Sequence, residues 1–163
     1  MKIIGIDPGL AATGVGVVTG RGVQVTGFSF GAIYTPKTMP TPERLDHIYS
    51  KLLLVLQDET PDLMVVEDVF SLEKYPRSGI TLGKVSGVIL LAGCRNHVPV
   101  TEVAVREAKH VLTGNGNASK AQLERSVRHT LSMTEPIKPS HASDALALAL
   151  IGLFRTPACC PIA

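Results

Sequence analysis

The run Leu63-Met64-Val65-Val66 constrains this chain more than any other stretch. It is apolar at four consecutive positions, follows Pro61 and ends at Glu67. Alternation would mark a strand with one wet face, whereas an unbroken apolar run marks a strand covered on both faces. Such a sheet needs helices above and below it, joined to the strands by crossovers. The rest of the chain supplies them. Residues 2–7 read as a buried strand, stopped by Pro8-Gly9. Gly14–Val18 and Val23–Tyr34 follow as strands around a hairpin signal at Gly20-Arg21-Gly22. Thr41 is placed as an N-cap with Pro42 at the first helical position, and Leu45, Ile48, Leu52, Leu53 and Leu56 form one helix face. A helix at 78–96, a strand at 98–103 and helical segments at 104–112, 118–133 and 140–154 come after the apolar strand, with Gly114-Asn115-Gly116-Asn117 as a loop. Three antiparallel strands followed by alternating helices and strands predict an α/β fold: a mixed five-stranded sheet flanked by helices.

With 163 residues, the chain is expected to form a single domain over 1–155 and a flexible tail over 156–163. Cys94, Cys159 and Cys160 are too few and too badly spaced for a zinc site or a disulfide framework. Cys94 falls in an apolar helix and is expected to be buried. This usage suits a reducing, cytoplasmic location. The N-terminal residues do not have the pattern of a signal peptide. The longest apolar run, Ala145 to Phe154, is too short to span a bilayer, so no membrane partner is expected.

Net charge is only +2, but its distribution is uneven. Glu43 to Asp68 holds seven acids and two bases, whereas Glu73 to Arg128 holds nine bases and four acids. An acidic pocket beside a basic surface fits a metal-dependent enzyme acting on a polyanion. Solvated helix faces of varying charge are the plainer explanation of the same counts.

Four residues could share a metal site. Asp7 ends the first strand and Glu67 the fourth, so the two lie side by side if those strands are neighbours. His141 and Asp144, three apart, share a face of the last helix. Hard divalent ions prefer such oxygen ligands, and two ions about 4 Å apart can hold the attacking and leaving oxygens of a phosphodiester. Each residue alone has a simpler reading. Asp7 before Pro8-Gly9 is common turn chemistry, Asp144 could serve the helix dipole, and His141 could be a helix-end histidine. Glu67 is harder to dismiss, because a carboxylate closing a buried strand must be paired or metal-bound.

The ordered set Gly5-Ile6-Asp7-Pro8-Gly9, Thr13-Gly14, Val66-Glu67-Asp68-Val69-Phe70, Leu82-Gly83, Gly87, Val105-Arg106-Glu107-Ala108-Lys109, Gly114, Gly116 and Ser140 to Ala147 resembles the RuvC family of Holliday-junction resolvases over nearly the whole chain. The resemblance implies an RNase H-like fold, a homodimer that binds a four-way DNA junction, and paired nicking in recombination and repair. It implies a partnership with a branch-migration helicase complex of the RuvA and RuvB type. Its acidic cluster falls on Asp7, Glu67 and Asp144, with His141 at the fourth position, where relatives carry Asp or His. The cofactor implied is Mg²⁺, or Mn²⁺, with two ions in each active site. His141 is left open between metal ligand and proton-transfer group.

The resemblance also assigns catalytic support to Lys109 and Lys120, and base stacking to Phe70, with Tyr75 as helper. Lys74, Arg77, Lys84, Arg106 and Arg125 are candidate backbone contacts by charge. Glu73 to Arg77 departs from the family pattern by one added residue, and Val85-Ser86 stands where relatives often have Ala-Arg; both bear on cleavage preference. Gly79, Gly83 and Gly87 recur every four residues along the second helix, which suits close helix packing. A contact within one chain is the plainer choice, but in the family that helix lies at the dimer interface, so the resemblance implies helix-to-helix packing between two copies. Another RNase H-like nuclease acting on structured RNA, and a junction-binding protein without catalysis, are the competing functions. A sugar-kinase-like ATPase would need two such domains and a longer chain.

Overall fold

The computed structural model describes residues 1–68 and 76–156. Its elements are β1 (Lys2–Asp7), β2 (Ala12–Arg21), β3 (Gln24–Tyr34), α1 (Thr41–Glu59), β4 (Leu63–Glu67), α2 (Pro76–Arg95), β5 (Val100–Val103), α3 (Val105–Thr113), α4 (Lys120–Thr130) and α5 (Ser140–Arg155). Among the described residues the strands form one sheet in the order β3-β2-β1-β4-β5. The first three strands are antiparallel, and β1–β4 and β4–β5 are parallel, so the sheet is mixed as expected.

Both faces are covered, which explains the apolar run in β4. On one face, Ile4, Ile6, Val15 and Val17 pack against Ile48, Leu52 and Leu56 of α1 and Val85 and Ile89 of α2. On the other, Ile3, Val18 and Val65 pack against α5, which is covered in turn by Ala108 of α3 and Leu123 and Val127 of α4. Helix α5 is buried at every position from Ala142 to Leu153. Its all-round apolar sequence therefore belongs to a central core helix. No helix among the described residues is long and apolar enough to cross a membrane.

The approach of α5 to the sheet depends on missing side chains. A Cβ on Gly5 would lie 2.0 Å from the Ala145 carbonyl oxygen, and one on Gly16 would lie 2.6 Å from the Leu146 nitrogen. These obstacles are backbone atoms, which cannot turn aside.

Some local expectations change. Thr41 is the first helical residue rather than the N-cap, which is Pro40 and makes no side-chain cap bond. Proline holds the extended backbone an N-cap needs but offers no acceptor. Strand β2 reaches Arg21, so the hairpin turns at Gly22, whose φ is +57°, after a bulge between Thr19 and Gly20. Helix α4 starts later than the spacing suggested, because Ser119 caps it. The Gln122 amide donates to the Ser119 hydroxyl, and the Ser119 amide donates to the Gln122 side chain. Cys94 is exposed, not buried: α2 buries Val85, Ile89 and Ala92 against α1 and turns Cys94 outward.

Substituting Gly5→Ala is expected to destabilise the fold by about 3 kcal/mol or more, since the methyl group meets helix backbone and forces α5 off the sheet. Urea unfolding followed by circular dichroism would measure it. A change below about 0.5 kcal/mol would show that α5 does not sit as close as described.

Candidate active site

Strand ends bring the acids together. Ile6 pairs with Val66 in the parallel β1–β4 ladder, so the next residues, Asp7 and Glu67, emerge side by side at the same sheet edge. On the other side of Asp7, Gly14 is its antiparallel partner. Gly14 is where α5 begins its contact: a Cβ there would stand 2.1 Å from the His141 carbonyl oxygen. The first turn of α5 is thus pressed against the end of β1, delivering His141 and Asp144.

Asp7 occupies the centre. Its Oδ2 lies 2.7 Å from His141 Nδ1, and an ionised Asp7, being an acceptor only, requires that nitrogen to carry the hydrogen and donate it. Its carboxylate is also hydrogen-bonded to Glu67. Asp144, 9% exposed, accepts from Lys120 Nζ at 3.0 Å. Lys120 is in the first turn of α4, positioned by the Ser119–Gln122 cap. Three carboxylates, one imidazole and one ammonium therefore meet at one end of the sheet.

The electrostatics follow from this crowding. Burial pushes the Glu67 carboxyl up to about 8, and its hydrogen bond to Asp7 and the charges of Asp7 and Asp144 push the same way. Burial likewise raises Asp7 to about 6; the Glu67 hydrogen bond opposes this, the Asp144 charge adds to it, and Lys120 opposes it. Near neutral pH the pair holds one proton on Glu67, which donates to ionised Asp7. The Lys120 ammonium is held above its ordinary value by its bond to Asp144.

Among the described residues, no three His, Cys, Asp or Glu side chains are gathered so as to grip one ion as they stand. The reason is visible in their pairing: Asp7 serves Glu67 and His141, while Lys120 holds Asp144. The donor set itself suits a hard divalent ion. It is rich in carboxylate oxygen, buried, and short of positive charge, with a single lysine against three acids.

The other expected residues are dispersed. Lys120, not Lys109, is the lysine that reaches the carboxylates among the described residues. Lys109 is half-buried on α3, and its carbonyl accepts from the Thr113 hydroxyl at 2.7 Å. Arg106 is exposed on α3 with its stem against Gly116. Lys84 on α2 and Arg125 on α4 are exposed. Phe70, Lys74 and Tyr75 lie outside the described residues. Arg77 belongs to α2, but its side chain lies outside them too. The sequence reading missed Gly14 and Gly16 as the seat of α5, although glycine at alternate positions of a strand was a readable signal of close backbone approach.

Residues 3–152 match the family model described as Crossover junction endodeoxyribonuclease RuvC. The RuvC of Carboxydothermus hydrogenoformans is 40% identical over 155 residues, covering 95% of this chain and 97% of that protein. The Thermotoga petrophila RuvC is 38% identical over 149 residues, covering 91% and 90%. A solved structure of T. thermophilus RuvC in complex with Holliday junction substrate matches with a TM-score of 0.85 at 32% identity, covering 92% and 91% of the two chains. The yeast mitochondrial Holliday junction resolvase shares the fold, with a TM-score of 0.61 at 13% identity, covering 94% of this chain and 77% of that one. A mixed RNase H-like sheet with clustered acids at one end, matched over nearly its whole length by these relatives, makes this chain a member of the RuvC family of crossover junction endodeoxyribonucleases.

Proposed function

We propose that the protein resolves four-way DNA junctions in recombination and repair by paired nicking at the Asp7 cluster. The observation that carries this reading is the convergence of Asp7, Glu67, His141 and Asp144 in a chain so similar to a RuvC solved with its junction. Asp7, Glu67, Asp144 and His141 would hold two Mg²⁺ ions, or Mn²⁺, which supply a nucleophilic water and charge stabilisation when bound. The chain's own part is to prepare the donors. Glu67 must give up the proton it donates to Asp7, and Lys120 must release Asp144. A released Lys120 ammonium is then free to meet the charge on a scissile phosphate, with Lys109 in support. His141 Nδ1 is committed to Asp7, so Nε2 is the nitrogen left for a metal or a proton.

Homodimer formation is supported by α2. Among the described residues, a Cβ on Gly79, Gly83 or Gly87 would meet nothing within 4 Å, so no described part of the chain packs onto these glycines. Ile80 and Leu91 on the same helix are exposed by 62% and 48%. Pairing through this surface would set two active sites against a junction of approximate two-fold symmetry. Lys84 and Arg106 would then contact phosphates, with Arg77, Lys74, Phe70 and Tyr75 completing the junction surface. A branch-migration complex of the RuvA and RuvB type is the partner this role calls for, and an exposed thiol at Cys94 suits a cytoplasmic location.

The discriminating experiment compares cleavage of four-way DNA, linear duplex and structured RNA while Mg²⁺ or Mn²⁺ is titrated. Preferential paired nicking of the junction is expected, and equal or better cleavage of RNA would overturn the reading. Asp7→Asn is expected to keep junction binding within about threefold while lowering nicking by at least about 10³-fold. Full activity of purified Asp7→Asn would exclude Asp7 from the chemistry.

A pH dependence follows as well. Carboxyls raised by folding bind protons more tightly in the native state than in the unfolded chain. Their contribution to stability is complete below pH about 4 and is lost as pH rises through about 6 for Asp7 and about 8 for Glu67. In chelator, Glu67→Gln is therefore expected to melt about 2–4 °C above the parent at pH 8, and to lose that advantage near pH 4. Equal melting temperatures at both pH values would contradict the buried pairing.

A further inference from the structure

Strand β3 is the free edge of the sheet: among the described residues its ladder partner is β2 alone. It is 11 residues long, and no charged residue occurs from Val23 to Pro36. Edge strands of soluble proteins are usually blunted by charge, proline or brevity. This one carries none of these protections, and it exposes Phe28 by 40%, Phe30 by 37% and Tyr34 by 58%. The Phe28 and Phe30 rings lie parallel within 8°, with centroids 6.4 Å apart.

Its sequence has a further property. Gly27-Phe28-Ser29-Phe30-Gly31 reads the same in both directions about Ser29. Among the described residues, a Cβ on Gly27 or Gly31 would meet nothing within 4 Å, and neither residue has positive φ. Neither packing nor backbone conformation within one copy therefore requires glycine there. Antiparallel pairing of the segment with itself gives both glycines a purpose. Gly27 would face Gly31 of the partner subunit, Ser29 would face its own counterpart, and Phe28 would face Phe30 of the partner subunit. Cross-strand aromatic pairs are among the more favourable contacts a sheet can make, and glycines beside them leave room for rings that lean across the joint.

We propose that β3 docks a second copy of this chain, antiparallel about a two-fold axis at Ser29, so that two five-stranded sheets join into one of ten strands. A heterologous strand would have no reason to match a palindrome, and a nucleic acid would find no cation along the 14 uncharged residues from Val23 to Pro36. The joint is also remote from the chemistry. Asp7 aligns through Gly14 with Ala32, towards the C-terminal end of β3. Antiparallel pairing therefore sends the two acid clusters to opposite ends of the combined sheet. The α2 surface lies over the β4–β5 side, away from this edge, so both interfaces could be used at once.

Sedimentation equilibrium of the parent chain and of Ser29→Lys tests this. The lysine sets like charges opposite each other at the axis, whereas Ser29 takes no part in the active site. At high protein concentration the parent is expected to reach at least twice the mass of the variant: twice if the variant is a monomer, and more if α2 pairs the chains as well, since each α2 pair keeps two free β3 edges. Unchanged circular dichroism and junction nicking in Ser29→Lys would show that its fold is intact. A second variant, Ser29→Cys in a chain carrying Cys94→Ser, Cys159→Ser and Cys160→Ser, is expected to form a disulfide-linked pair on mild oxidation, because facing Cα atoms of an antiparallel pair lie at about 4.5–5.5 Å. Equal masses for parent and Ser29→Lys, with no cross-link through Cys at 29, would overturn the proposal.

Discussion

Helix α5 lies so close to β1 and β2 that a methyl group on Gly5 would stand 2.0 Å from the Ala145 carbonyl oxygen. Three glycines on the strands make that possible: Gly5, Gly14 and Gly16. Their absent side chains let helix backbone rest on sheet backbone, and the consequences run in both directions. Inward, α5 becomes a buried core helix with α3 and α4 packed outside it. Towards the sheet edge, its first turn is fixed over Gly14, which is the partner of Asp7. A small lift of the helix would carry His141 and Asp144 away from the carboxylates they join. The packing of the core and the geometry of the site are therefore one constraint.

The site bears the cost of that arrangement. Bringing Asp7, Glu67 and Asp144 together in a buried corner concentrates negative charge where water is scarce. The molecule relieves it by retaining a proton on Glu67 and by drawing Lys120 onto Asp144. Both devices are what a divalent ion would replace, since a bound cation supplies the missing positive charge. Pairwise closure of the side chains is thus one expression of an electrostatic imbalance that a bound cation would also relieve.

Much of this was legible in the residues, for identifiable reasons. The unbroken run at 63–66 read as a doubly covered strand with Glu67 at its end, and the β1–β4 pairing then set Glu67 beside Asp7. The spacing of His141 and Asp144 put them on one helix face. What escaped the sequence was long-range. The glycines of β2 looked like ordinary strand residues until α5 was seen resting on them. Cys94 looked buried because its neighbours are apolar, but α2 has a covered face and a bare one, and periodicity alone did not tell which side would meet α1. The Ser119–Gln122 cap, which aims Lys120 at Asp144, was a local signal hidden within a longer helical pattern.

The assignment of the four residues to metal is tested most directly by anomalous scattering from crystals grown or soaked with Mn²⁺ at a pH well above 8, where Glu67 is ionised. The expected result is two manganese peaks beside Asp7, with Glu67 and Asp144 as ligands and Lys120 withdrawn from Asp144. Peaks elsewhere, with Asp7 still paired to Glu67 and His141, would contradict it.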